Sequence, residues 1–229
     1  MIKVIIITIF LVQNIFSFSI NDFIDIKKCD KIIDKKVFKI CYSYKNKGAL
    51  AVWYDLDSNL INIKNIKKRP SFYNEKNLKL EYRAKSKDYI KSGFDRGHLA
   101  NDASFDYDIK ILKKTYSMAN IIPQYPKINR YTWIKAERYE RTITTKLKKI
   151  TVLNIVNYAN NSKKIKNNIS VPTSFVKVLF NNKENFSKCF KYENIKDIDI
   201  KKDKLKNHLI DCQELFIKEK KSLFDFFKQ

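Results

Sequence analysis

Two β-rich stretches, Val37 to Tyr44 and Gly48 to Leu56, flank a basic turn that carries Asn46 and Gly48, which predicts two strands closing as a hairpin. Ile61 to Ile66 alternates apolar and polar residues like an edge strand, and Arg69-Pro70 then opens a polar connection. Tyr89 to Phe94 runs into Asp95. Ser117 to Ile122 reads as a short apolar strand ended by Pro123, so that these two segments flank residues 95–98. Pro126 stops any earlier helix, and Trp133, Ala136, Tyr139, Ile143 and Leu147 recur at helical period over Asn129 to Leu147. Thr151 to Val156 and Ser174 to Phe180 are expected core strands, with a polar surface loop over Asn160 to Asn168. Lys204 to Phe227 places Leu205, Leu209, Cys212, Phe216, Leu223 and Phe227 on a rough stripe, the pattern of an amphipathic terminal helix or pair of helices.

The chain has 229 residues, 44% of them hydrophobic, and no Gly/Ser/Pro-rich linker, which points to one domain with one core. Its start has the order of a secretory leader: Lys3, an apolar run from Val4 to Val12, then Ser17-Phe18-Ser19. Gln13 and Asn14 interrupt that run well short of the roughly 20 apolar residues that span a bilayer. The expectation is a signal peptide over 1–19, a single domain over 20–229, a periplasmic or secreted location and no stable membrane insertion after cleavage. Four cysteines in an exported chain read as two disulfides, with three pairings open. Cys29 with Cys41 and Cys189 with Cys212 is preferred, because each closes a local loop. Zinc is disfavoured, since the spacings are not CxxC-like and only His208 lies near a cysteine.

The formal charge of +23 attracts polyanions. Nucleic acid is one candidate partner, and membrane surfaces or acidic cell-wall polymers would be attracted equally. A general richness in Lys, Asn and Ile offers a compositional explanation instead.

Asp95-Arg96-Gly97-His98 changes that balance, because it sets one of only two histidines beside an arginine and a glycine. A histidine can take a proton from water near neutral pH, an arginine can neutralise a phosphate, and a glycine allows a tight backbone. Downstream stand Met118-Ala119-Asn120-Ile121-Ile122-Pro123-Gln124 and Ile128-Asn129-Arg130-Tyr131-Thr132-Trp133-Ile134-Lys135-Ala136-Glu137.

This set resembles the DNA/RNA non-specific endonucleases, the DRGH branch of the ββα-metal (His-Me finger) nucleases. Members carry the tetrad, an Asn-x-x-Pro-Gln segment, a metal-binding Asn nine residues after the first Asn and a Glu eight residues further on; Asn120, Asn129 and Glu137 keep both spacings. The likeness runs from about Arg69 to about Leu147 and more loosely back to Cys41. One departure is Leu99-Ala100-Asn101-Asp102, where members usually continue the tetrad with a small or apolar residue, Ala and Pro. The resemblance implies an α+β fold with a mixed or antiparallel sheet core around a ββα-metal motif. It implies His98 as general base, Asn129 as direct ligand of Mg²⁺ (Mn²⁺ or another divalent ion being the alternatives), and Glu137 acting through metal-bound water. Arg96 and Arg69 are the implied phosphate clamps, with Arg83 a rival to Arg69, and Asn120 would orient His98 or the metal site. Taken singly, Asn129 could be a helix cap, Glu137 could pair with Arg141 one turn on, and Asp95 could hold its own loop. The implied activity is metal-dependent hydrolysis of DNA and RNA to 5′-phosphorylated products. A catalytically silent nucleic-acid binder and a cationic membrane or cell-wall binder are the alternatives. A homodimer and a protein inhibitor stay open as partners.

Overall fold

The computed structural model describes residues 17–61 and 63–217. Nine strands and three α-helices are found among them: α1 (Ile20–Phe23), β1 (Lys31–Asp34), β2 (Lys39–Ser43), β3 (Gly48–Asp57), β4 (Asp95–His98), α2 (Ile109–Thr115), β5 (Ile121–Gln124), α3 (Trp133–Leu147), β6 (Lys149–Asn157), β7 (Ser174–Asn181), β8 (Phe186–Glu193) and β9 (Leu209–Ile210). Seven strands form one sheet in the order β1-β2-β3-β6-β7-β8-β9, antiparallel throughout, and β4 and β5 form a separate antiparallel ribbon. The architecture is α+β, as the resemblance implies.

Strand alternation divides the sheet into two faces with different tasks. Val52, Tyr54 and Leu56 of β3, Val152 and Val156 of β6, and Phe175 and Leu179 of β7 bury one face under α3 and the ribbon. Trp133 anchors α3 there, its ring edge-on to Phe175 and Tyr192. Ala51, Leu153, Val176, Val178 and Phe180 bury the other face, where Phe18 and Phe23 pack against Phe180 and Phe216 packs against both.

Both preferred disulfides are present, Cys29–Cys41 and Cys189–Cys212, and both belong to this second face. The double replacement Cys189→Ser/Cys212→Ser, which frees the chain end from β8, is expected to lower stability by about 3 kcal/mol. Urea denaturation would measure it, and no loss would mean that β8–β9 pairing alone holds that segment.

Three expected elements differ. Residues 61 and 63–66 make no strand: Ile61 drops into the core while Ile63 is exposed. Pro123 does not end β5 but lies within it opposite Arg96; a two-stranded ribbon leaves its missing N–H without a ladder partner to disappoint. Within the described residues the expected terminal helix is replaced by two short 3₁₀ turns, Leu205–His208 and Cys212–Leu215, with β9 between them. Pairing with β8 and the bond from Cys212 to Cys189 hold this chain extended. Residues 1–16 of the expected leader, and 218–227 of that helix, lie outside the described residues. Among the described residues no helix is long and apolar enough to cross a membrane.

Candidate active site

The ribbon and the helix are pinned together at two points, one on either side of His98 in sequence. At one end Asp95 accepts hydrogen bonds from Asn129 Nδ2 (3.0 Å) and, bidentately, from Arg130 (2.7 Å each). At the other end Asn101 donates to Glu140 and accepts from Arg141 Nη1 at 3.1 Å. From 95 to 101 an extended chain covers about 20 Å, and from 129 to 140 a helix rises about 16 Å. The two segments therefore run side by side, so the strand that bears His98 and the helix that bears Glu137 share both anchors.

Asn129 is not a helix cap. It sits in a π-helical turn, Ile128–Thr132, that feeds directly into α3. The Asp95 carboxylate demands a donor, so the amide is held with Nδ2 toward Asp95, which leaves Oδ1 as the atom for a cation. Burial alone would raise the Asp95 pKa, but the hydrogen bonds from Arg130 and Asn129 outweigh it and keep the carboxylate below its ordinary value. Its local role is thus to grip the helix start rather than its own loop.

Arg96 and His98 project from the other face of β4. Phe72 contacts both, 5.5 Å from the His98 ring and 5.7 Å from the Arg96 guanidinium. Tyr116 meets His98 edge-on at 4.8 Å. His98 Nε2 is buried and has no hydrogen-bond partner among the described residues. Burial lowers the His98 pKa to about 4, with nearby Arg69 adding to the effect and Asp102 opposing it. The ring is neutral at pH 7, the form a proton acceptor needs.

The arginines are partly engaged. Arg96 donates Nε and Nη2 to the Ser86 carbonyl and stacks near Tyr89 as well as Phe72. Arg69 bridges Asp102 (3.4 Å) and Asp106 (3.1 Å), and Asp102 in turn accepts from the Tyr116 hydroxyl at 2.7 Å. That places Arg69 beside His98. Its rival Arg83 folds back onto the Leu78 and Lys76 carbonyls. The Asn120 side chain is committed to backbone: Oδ1 accepts from Ala100 N–H, and Nδ2 donates to the Ala100 and Thr115 carbonyls. It fixes the chain just after His98 and touches neither the imidazole nor Asn129.

Glu137 makes no hydrogen bond or ion pair among the described residues, and Arg141 pairs with Asn101 in its place. Burial raises the Glu137 pKa to about 8, helped by the Glu140 carboxylate and opposed by Lys177 and Arg141. A carboxyl in want of a positive charge, about two turns along the helix from an amide oxygen already oriented, fits a hydrated divalent cation. No cluster of three His, Cys, Asp or Glu side chains suited to a metal exists among the described residues, so such an ion would keep most of its waters. His208 plays no part here: it stacks on Tyr192 and binds Asp203 and the Lys191 carbonyl.

Gly97 is required by its neighbour. A Cβ there would lie 2.2 Å from Gln124 Oε1 and 2.6 Å from its Cγ, and Gln124 is fully buried with no room to swing away. Gly97→Ala is expected to cost about 1–3 kcal/mol of stability and to lower any activity that depends on the ribbon. Thermal unfolding beside wild type would check it.

The family model of the DNA/RNA non-specific endonucleases matches residues 21–221. The chain belongs to this family. Mitochondrial endonuclease G of Homo sapiens is 29% identical over 156 residues, which are 63% of this chain and 52% of that protein. A nuclease of Nostoc sp. (strain PCC 7120 / SAG 25.82 / UTEX 2576) is 30% identical over 138 residues, 60% of this chain and 50% of that one. The chain thus spans about half the length of the curated relatives it matches. A crystal structure of the EndoG/EndoGI complex, on the mechanism of EndoG inhibition, shares the fold: TM-score 0.72 at 19% identity, covering 80% of this chain and 81% of that one.

Sequence spacing does not single out Asp102, Tyr116 and Phe72, which surround His98. Only the unusual acid after the tetrad hints at Asp102. The tetrad of the DNA/RNA non-specific endonucleases names the strand on which these side chains converge.

Proposed function

We propose that this protein is an exported, divalent-metal-dependent endonuclease that hydrolyses phosphodiester bonds in DNA and RNA with little sequence preference. The carrying observation is His98: a neutral imidazole whose Nε2 has no hydrogen-bond partner among the described residues, set on the ribbon that Asp95 pins to the helix holding Asn129 and Glu137. His98 takes a proton from a water as that water's oxygen bonds to phosphorus. The P–O3′ bond breaks, the 3′ oxygen leaves and takes a proton from solvent water, and the phosphate stays on the 5′ side. Arg96 and Arg69 offer guanidinium charge to the phosphate, for which Arg69 must loosen its hold on Asp102 or Asp106. Asn129 Oδ1 would hold the cation, Mg²⁺ being our choice, with Glu137 accepting from its waters. When bound, the ion stabilises negative charge on the phosphate and on the leaving oxygen. These groups touch phosphate and not bases, which supports low sequence preference.

Two disulfides and the leader-like start support export to a periplasmic or extracellular space. The structural neighbour is seen in complex with EndoGI, and a protein inhibitor is proposed here as well.

The test is digestion of supercoiled plasmid and of RNA by the purified chain. Both should be degraded with Mg²⁺ and survive in EDTA. Glu137→Gln should raise the Mg²⁺ needed for half-maximal rate by roughly 10- to 100-fold. Tight binding with intact substrate in both Mg²⁺ and Mn²⁺ would make the chain a silent binder.

A further inference from the structure

A cavity of about 420 Å³ opens at the Asp95 end of the ribbon, lined by Phe94, Tyr125, Lys127, Lys163, Lys196 and Asp197 among others. We propose that it is a base-binding subsite, taking one unpaired nucleobase of a nucleic acid strand against Tyr125 while the lysines meet the flanking phosphates. The ligand class rests on the proposed nuclease activity; the site itself rests on a pair of contacting rings and the charge around them that no ion pair holds firmly.

The two rings meet because the ribbon register makes them meet. Asp95 pairs with Gln124, so Phe94 and Tyr125, the residues just beyond that pair, come together with ring centroids 4.5 Å apart and planes tilted by 45°. Phe94 is buried and forms the floor; Tyr125 is half-buried and forms the accessible wall. Lys163 Nζ stands 5.5 Å from the Phe94 ring, and neither Lys163 nor Lys196 forms an ion pair among the described residues. Lys127 has only a loose partner in Asp197, at 3.9 Å with an 86% exposed carboxylate, a pair that contributes little. An aromatic wall within a ring of uncommitted cations matches a flat base carried on a charged backbone.

The cavity is held rigidly next to the candidate chemistry. Tyr125 N–H donates to Asn194 Oδ1 (3.0 Å), and its carbonyl accepts from Asn129 N–H (2.9 Å). Asn194 Nδ2 donates in turn to the Pro123 and Pro172 carbonyls, which joins the ribbon to the segment bearing Lys196. A volume of this size suits a small planar ligand. About 10 Å of strand separates Asp95 from His98, so a base seated here lies within a few nucleotides of the phosphate at His98.

The experiment uses the full chain with His98→Ala in EDTA, which removes cleavage from the readout. A short single-stranded oligonucleotide carrying 2-aminopurine reports stacking by fluorescence quenching, and an abasic oligonucleotide of equal length competes with it. The expected result is quenching, roughly 10-fold tighter binding of the natural strand than of the abasic one, loss of both with Tyr125→Leu and retention with Tyr125→Phe. Lys163→Glu with Lys196→Glu should weaken both strands alike. Equal affinity for natural and abasic strands, or a preference that survives Tyr125→Leu, overturns the subsite and leaves the nuclease reading standing. No binding of either strand at low salt overturns both.

Discussion

His98→Ala is expected to fold and yet to lose roughly 10²–10⁴-fold in kcat on plasmid DNA, the usual contribution of a positioned proton acceptor. Truncation removes a ring whose neighbours, Phe72 and Tyr116, can keep packing against each other, since their own rings already meet at 5.0 Å. The wild-type pH profile gives a second view of the same residue. Because the His98 pKa is lowered to about 4, kcat/KM should hold level as pH falls from 7 to 5 and drop only below that. The stability profile moves differently. Between the unfolded-state value of about 6.5 and the folded value of about 4 the unfolded chain binds more protons, so stability should decline as pH falls across that interval. In His98→Ala this part of the decline should vanish. Urea titrations at a series of pH values and plasmid nicking rates would check both, and a rate within threefold of wild type would remove His98 from the chemistry.

Lys177→Met is expected to cost about 3–5 kcal/mol, the effect of stripping one partner from a buried ion pair. Lys177 Nζ meets Glu140 Oε2 with both side chains at 0% exposure, and it also stands 4.8 Å from the Trp133 ring. Glu140 additionally accepts from Tyr54 and Ser104 hydroxyls and from Asn101. Asn101 then holds Arg141, so the network reaches the loop that follows the tetrad. Adding Glu140→Gln should restore much of the loss, because the amide keeps an acceptor while removing the stranded charge. Urea denaturation of the single and double variants decides it; a single variant as stable as wild type would mean that water reaches Glu140.

The network also shows what a sequence can conceal. Lys177 lies among Phe175, Val176, Val178 and Leu179 and sits on the helix-facing side of β7, while Glu140 falls on the buried side of α3. Read alone, each is a polar residue to be turned outward; only their meeting across the core makes burial tolerable. The hairpin, the two core strands, the central helix and both disulfides follow patterns local enough to read in one dimension. The tetrad and its two asparagine spacings are legible for the same reason. Asn120's grip on Ala100 and Arg69's grip on Asp102 and Asp106 are not, since each joins segments brought together only by the fold. The chain end misleads because Leu209 and Cys212 of its apolar stripe serve a strand and a disulfide rather than a helix face.

Behind the sheet, Phe18 and Phe216 pack together, and Ile217 N–H donates to the Asp22 carbonyl, so the described chain enters and leaves at one place. That place is on the face opposite the ribbon and His98. A partner joined directly after Ile217 would therefore hold the molecule from behind, with its reactive side presented outward.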